Sequence, residues 1–517
     1  MRDPAVGIDL GTTYSVVAFL DPTGRPQTIL NAEGDLTTPS VVLFDRSSVV
    51  VGKEAVKAAS LEPDCIAEFA KREMGCPTYS KTIHDERFPP EVIQSFILEK
   101  LKADAEQRLG PFQKAVITVP AYFNEPRRKA VQDAGHLAGL EVLDIINEPT
   151  AAALTFGVQR GFLKRDGTAH SNEKILVYDL GGGTFDVTLM EIRGDTYTTL
   201  ATAGDVYLGG VDWDRRLVDH LAEAFKAKYR FDLRKHPGAC QRLMQAVEDA
   251  KQTLTARQET TILFDHSGDA IRLPVARAEF ELMTADLLER TRVTVRGVLK
   301  DARLQWSDIT RVLLVGGSTR MPMVQRMLRE ESGKELDCSL SAAEAVAHGA
   351  AIYAGLLLRG ENALGHAIRV QNVNSHDLGV LGFELATGRP RRKVMIARNT
   401  PLPAKRESRF ATHRDNQPDV LINIVEGGDD TGQNATHIGT CVVRDLPPGL
   451  PKGTPVRVVF AYAANGRLDV YAHLPTVGST AALTLERTSG LNNRTLDEWQ
   501  DRLSRRRRPM KLNSVSE

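Results

Sequence analysis

Two short stretches, GIDLGTTYS at residues 7–15 and VYDLGGGTFDV at 177–187, put the same small device into one chain twice. Each follows an apolar run, each reads Asp-Leu-Gly, and each places Thr just after glycine. Glycine lets a strand end turn sharply and approach a ligand where a Cβ would collide. Successive N–H groups in such a bend form a concavity for anions, and Thr hydroxyls add donors. The Asp would repel a phosphate. It suits instead a hydrated Mg²⁺, which takes carboxylates and keeps waters. Two such bends, one from each half of a duplicated fold, would face each other and clamp a polyphosphate. Neither bend is a GxxxxGK[ST] loop, which the chain lacks.

The rest of the chain fits a fold in several parts. At 517 residues it is too long for one core and suits two or three domains. Up to about residue 360, buried strands such as AVITVP (115–120), KILVYDL (174–180) and RVLLVGG (311–317) alternate with helical periods. The helices are expected at 91–109, 126–139, 214–230, 241–256, 284–303 and 341–358. That alternation indicates an α/β architecture with a largely covered sheet. A polar, glycine-containing stretch over 361–376 reads as a linker. From 377 to 490 short strands and turns replace the helices, as expected of a smaller all-β sandwich. In its clearest piece, Val456, Val458, Phe460 and Tyr462 alternate onto one face. Asn465-Gly466 then suits a type I′ turn, and Leu468, Val470 and Ala472 alternate back. Residues 491–517 read as one short helix and a basic tail.

Composition excludes several classes. Lys plus Arg equals Asp plus Glu at 66 each, so no global field favours nucleic acid or an anionic membrane. The N-terminus lacks the apolar stretch of a secretory signal, and no segment approaches the roughly 20 apolar residues that span a bilayer. Cys65, Cys76, Cys240, Cys338 and Cys441 show no CxxC spacing, which predicts reduced thiols in a cytoplasmic protein.

GIDLGTTYS, VPAYFNEPRRKAVQDAG, IINEPTAAALTFG, VYDLGGGTFDV, LGGVDWDRRLV and LLVGGSTRMPMVQ occur in this order over residues 1–358. In order and spacing they resemble the seventy-kilodalton heat-shock chaperone family, with a weaker likeness through the β region. The resemblance implies an actin-like, two-lobed ATPase domain with duplicated halves around an ATP cleft. It implies slow hydrolysis of ATP to ADP and phosphate, which switches the affinity of a β-domain groove for extended apolar peptide. Mg²⁺ is the implied ion, with K⁺ as a further candidate. Unfolded segments, a J-domain co-chaperone and a nucleotide exchange factor are the implied partners.

Carried over by motif, Gly11, Thr12, Thr13 and Tyr14 belong to the first phosphate bend, and Gly181, Gly182, Gly183 and Thr184 to the second. Asp9, Glu148, Asp179 and Asp186 match the acids around the metal, partly through water. Lys71 matches the lysine beside the γ-phosphate, so Lys71, Glu148, Asp179, Thr184 and Asp186 form the implied catalytic set. Gly209 and Gly210 match a further phosphate loop, and Glu248, Lys251 and Thr255 a helix facing ribose and base. Gly316, Gly317, Ser318 and Arg320 match the adenosine side. Pro120 and Arg128 match positions that relay ATP binding between domains. Val380, Phe410, Val420 and Ile422 fall near apolar positions of the peptide groove.

Three departures stand out. LGHAIRVQNVNSHDLG lacks the acid-flanked aliphatic run that usually joins the domains. Ala342-Ala343 replaces a usual Pro-Asp, and the C-terminal stretch leaves room for one short helix in place of a helical lid. These departures keep a nucleotide-gated adaptor for one folded partner as an alternative. A small-molecule kinase on the same fold is a further one, which the attached β region disfavours.

Overall fold

The computed structural model describes residues 4–46, 48–161, 172–359, 368–384, 387–464, 467–475, 479–483, 486–487 and 491–507. The two matched stretches open two matched sheets. In the first, Ala5–Asp9 pairs antiparallel with Tyr14–Leu20, which pairs antiparallel with Pro26–Ile29. On its other side Ala5–Asp9 pairs parallel with Lys114–Val119, and that strand parallel with Glu141–Asn147. The second sheet repeats this order. Asn172–Leu180, Phe185–Arg193 and Thr196–Asp205 form the antiparallel set, and Arg311–Val315 then Leu336–Asp337 the parallel set.

Each sheet has its own core. Val6, Ile8, Ile117 and Val131 are fully buried in the first, and Tyr178, Trp213, Leu217 and Leu221 in the second. A third cluster joins the halves along the helices Glu148–Gln159 and Ala345–Arg359. These helices touch backbone to backbone: a Cβ on Gly349 would stand 1.8 Å from the Ala151 carbonyl oxygen. The expected helices match the observed ones to within a few residues, as with Pro90–Leu109, Gly210–Tyr229 and Pro237–Ala256. None of the described helices is long and apolar enough to cross a membrane.

Beyond residue 376 lie a five-stranded and a four-stranded antiparallel sheet. They share one buried cluster, with Leu378, Ile422, Ile424 and Ile438 from the first and Val456, Val458, Phe460 and Val470 from the second. The alternation read over 455–474 is seen in burial, with Tyr462 registered opposite Leu468; Asn465-Gly466 lies outside the described residues. Part of the stretch expected as a linker is a strand. Arg369–Gln371 pairs parallel with Thr196–Asp205 and adds a sixth strand to the second sheet, while 360–367 lies outside the described residues. The helix Asn493–Arg507 packs back onto the first core through Leu496, Trp499 and Leu503, with Trp499 5.8 Å from the Phe88 ring.

The C-terminal sheets rest on both halves. On the first, Glu426 Oε2 accepts the Glu125 N–H at 3.1 Å, in the opening turn of the helix Glu125–Leu137. His376 lies against Tyr122, ring centroids 4.2 Å apart, with Nδ1 3.7 Å from Glu426. On the second, Asn399 Oδ1 accepts the Thr202 N–H at 3.0 Å and Arg398 pairs with Asp301 at 2.8 Å. Burial, with the charge of Glu125, pushes the Glu426 carboxyl up to about 8. Burial beside Arg128 and Arg127 holds His376 down at about 4.

Two outcomes follow. Gly349→Ala should destabilise the chain by about 1–3 kcal/mol, because helix backbones would have to part; a urea midpoint equal to wild type would contradict that packing. The folded chain retains the Glu426 proton at pH values where the unfolded chain has lost it. Its contribution is therefore complete below the ordinary 4.5 and is lost as pH rises to about 8. Glu426→Gln keeps an acceptor without the titration, so thermal midpoints should fall less steeply than wild type across that window.

Candidate functional site

A cleft of about 750 Å³ opens between the halves. Both bends reach it. Asp9, Gly11, Thr12, Thr13 and Tyr14 line one wall, and Asp179, Gly181, Gly182 and Thr184 the other. The bends press directly on each other. A Cβ on Gly182 would stand 2.3 Å from Thr13 Oγ1, and one on Gly183 2.3 Å from Thr12 Cγ2. Only glycine permits that approach. The first bend is braced from behind: Ser15 Oγ accepts the Gly11 N–H at 3.1 Å, and Ser40 Oγ donates to the Gly11 carbonyl at 2.9 Å.

The acids come together from separate strands. Asp179 and Asp186 are register partners across the second hairpin, whereas Asp9 is opposite Val16 in the first. The repeat is thus asymmetric, with two carboxylates on one side and one on the other. Glu148 arrives at the start of the helix Glu148–Gln159. Thr118 donates to Asp9 at 3.1 Å, and the Tyr122 N–H donates to Asp186 at 2.9 Å. Burial raises Asp9 to about 7 and Asp186 to about 8, and pushes Asp179 up as well; the Glu148 charge adds to all three.

One ammonium stands among these acids. Lys71 Nζ is 2.6 Å from Glu148 Oε1, with the lysine side chain 2% exposed and the glutamate 9%. Lys71 sits in the 3-10 turn Ala70–Glu73, which follows Phe69 at a left-handed φ of 57°. Such a conformation is costly for an aromatic residue and persists where surrounding structure enforces it. Four clustered carboxylates, three of them buried, against one lysine leave excess negative charge, a donor set that fits cations. No three His, Cys, Asp or Glu groups among the described residues draw close enough to hold a bare ion. Carboxylates set beside two glycine bends suit an ion that keeps its own waters, as Mg²⁺ does.

The far end of the cleft is lined by Gly210, Glu248, Lys251, Thr255, Gly316, Gly317, Ser318 and Arg320. Ser318 Oγ donates to the Gly181 carbonyl at 2.9 Å, tying this end to the second bend. Gly183, Gly209 and Asp186 stand just behind the lining; a Cβ on Gly209 would meet Gly183 at 2.5 Å. Ala342 and Ala343 also line the cleft. Sequence reasoning missed Asp214, whose Oδ2 accepts from Lys251 at 2.6 Å. Its signal was the second acid of LGGVDWD.

The remaining expected residues lie elsewhere. Pro120 directly follows the strand Lys114–Val119, and half-buried Arg128 donates to the Ala121 and Phe123 carbonyls and to Asn147 Oδ1 at 2.6 Å. Asn147 directly precedes Glu148, so Arg128 links the cleft to the surface on which the C-terminal sheets rest. Val380, Val420 and Ile422 are 4%, 8% and 3% exposed and belong to the core shared by the two C-terminal sheets. They were expected near a groove; strand alternation turns them inward instead. Phe410 is half-buried at the edge of that core, with Lys393 over its ring at 5.2 Å.

Against known proteins, the chain matches the family model described as Hsp70 protein over residues 5–86 and 77–510. It is 43% identical over 481 residues to "Chaperone protein DnaK" of Thermotoga petrophila, covering 91% of this chain and 78% of that one. The Thermotoga maritima protein of the same name matches to the same extent. The Deinococcus radiodurans DnaK is 41% identical over 519 residues, covering 94% of this chain and 80% of its own. With its two matched sheets around one cleft, the chain belongs to the Hsp70 family, whose ATPase fold is actin-like and two-lobed.

Proposed function

We propose that this chain is an ATP-dependent chaperone in which slow hydrolysis of ATP to ADP and phosphate controls the hold of the C-terminal sheets on extended apolar peptide. The observation that carries the reading is the meeting of two glycine bends across an acid-backed cleft. The triphosphate would be gripped between Gly11, Thr12, Thr13 and Tyr14 on one side and Gly181, Gly182, Gly183 and Thr184 on the other, with Gly209 and Gly210 closing the loop behind. Glu248, Lys251 and Thr255 would meet the ribose and base, and Gly316, Gly317, Ser318 and Arg320 the adenosine side. The magnesium ion, held largely through water by Asp9, Glu148, Asp179 and Asp186, would supply neutralisation of phosphate charge, and K⁺ is a further candidate ion.

The chain's own groups supply positioning and charge, which is most of what phosphoryl transfer asks of a protein. Lys71, paired with Glu148, presents its ammonium where negative charge grows on the phosphate. Glu148 keeps one oxygen for Lys71 and one to orient the attacking water. Thr184, beside Asp186, adds a hydroxyl at the same end. Arg128 and Pro120 would relay the state of Glu148 to the docked sheets through Asn147. The working division is an ATPase domain over 1–360, a joining segment over 361–376, a β-sandwich over 377–490 and a helix with basic tail over 491–517. Burial in the docked arrangement favours core roles for Val380, Val420 and Ile422 and leaves Phe410 the most open of the four to a ligand. Unfolded segments, a J-domain co-chaperone and an exchange factor are the partners this reading calls for, in the cytoplasm.

Single-turnover hydrolysis, with and without an extended apolar peptide, tests this. Peptide should accelerate wild type. Lys71→Ala should slow the chemical step by about 10²–10³-fold. Normal hydrolysis by Lys71→Ala would remove the lysine from the mechanism.

A further inference from the structure

One margin of the C-terminal sheets carries a charge pattern that the chemistry above does not use. It is bordered by two edge strands. Pro390–Ile396 pairs with Leu378–Phe383, and Ala404–Ala411 with Pro455–Tyr462; neither has a second strand beside it among the described residues. Lys393 is registered opposite Val380, and Arg406 and Phe410 opposite Phe460 and Val456. Directly opposed residues share a face of a sheet, and Val380, Val456 and Phe460 are buried in the shared core. Lys393, Arg406 and Phe410 therefore turn to the inner side of their sheets, at the open margin. The Lys393 ammonium lies 5.2 Å over the Phe410 ring, which is half-buried, while Lys393 and Arg406 are exposed.

Charge at this margin is one-sided, in a chain whose charges balance overall. Residues 389–414 hold nine Arg and Lys against a single acid, Glu407. Three of the nine meet carboxylates: Arg391 on Glu384, Arg392 on Asp377 and Arg398 on Asp301. Arg389, Lys393, Lys405, Arg406, Arg409 and Arg414 are exposed and make no ion pair among the described residues. The nearby acids are committed elsewhere. Glu407 lies 3.6 Å from Arg457, Glu384 accepts from Thr387 at 2.7 Å and Arg391 at 2.9 Å, and Asp415 accepts the Lys452 N–H at 2.6 Å. Charges of one sign guard an edge strand against pairing with another copy of the chain. The same charges favour an incoming segment of opposite sign. A segment added along Ala404–Ala411 would offer alternate side chains to the inner side, where apolar ones suit Phe410 and carboxylates suit Lys393 and Arg406.

We propose that this margin selects extended segments by charge. It takes apolar segments flanked by Asp or Glu in preference to neutral or Lys-flanked ones, with Lys393 and Arg406 as the selecting residues. The inference rests on the reading that the C-terminal sheets hold extended apolar peptide.

The test is fluorescence anisotropy of the full chain with three labelled peptides that share one apolar core and carry paired Asp, Asn or Lys at both ends. The Asp-flanked peptide should bind about tenfold more tightly than the Asn-flanked one, and the Lys-flanked one most weakly. Salt at about 0.5 M should shrink that preference to about twofold, because exposed charges are screened. Lys393→Glu with Arg406→Glu should reverse the order, so that the Lys-flanked peptide binds best, a gain that misfolded protein cannot show. Equal affinity for the three peptides, or an order that survives the double reversal, would overturn the selection and leave these side chains as guards of the edge. Displacement of the Asp-flanked peptide by an equal concentration of single-stranded oligonucleotide would overturn it too, by giving the margin to nucleic acid. Failure of wild type to bind any of the three would overturn the peptide reading itself, and the selection with it.

Discussion

The cleft is organised around a charge problem. Asp9, Glu148, Asp179 and Asp186 are each less than a tenth exposed or sit on the cleft wall, and Lys71 is the ammonium among them. Like charges at this density, with little water, disfavour their own ionisation, and burial drives Asp9, Asp179 and Asp186 upward. The Lys71–Glu148 contact at 2.6 Å relieves part of that cost and leaves the rest to be met by cations that arrive with the substrate. Removing one member of a buried pair typically costs about 3–5 kcal/mol, so the two residues depend on each other for folding as well as for chemistry.

The two sheets exist to bring those groups to one point. Each supplies a bend at a strand end and parallel strands behind it, and the helices Glu148–Gln159 and Ala345–Arg359 lock the halves at a backbone contact that tolerates no side chain at Gly349. Because the halves meet along one edge and face each other across the cleft, small rotations change the cleft more than the cores. The Arg72–Asp212 pair, the Arg127–Tyr207 contact and the Gln241–Glu68 and Gln245–Val56 contacts are among the polar groups that such a rotation would strain.

The C-terminal sheets touch both halves. Glu426 on the Glu125 turn and Asn399 on Thr202 bind different halves, while Arg369–Gln371 joins the second sheet as a strand. That strand contains none of the aliphatic run usual at this join. Backbone pairing in a sheet needs N–H and C=O groups far more than any particular side chain, which is how an Arg-Val-Gln segment serves.

Local pattern in the chain determined the elements and the bends. The period of apolar residues marked the helices to within a few residues, alternation marked the inward faces of 455–474, and the doubled Asp-Leu-Gly marked both walls of the cleft. These signals are legible because they depend only on backbone geometry and on which side chains avoid water. Tertiary structure decided which polar groups meet across the chain. Asp214 under Lys251, Arg72 on Asp212 and Glu426 on the Glu125 turn are pairs whose members lie far apart in sequence, so no local pattern announces them. It also decided the inward facing of Val380, Val420 and Ile422, since alternation says that residues share a face and not whether another sheet covers it.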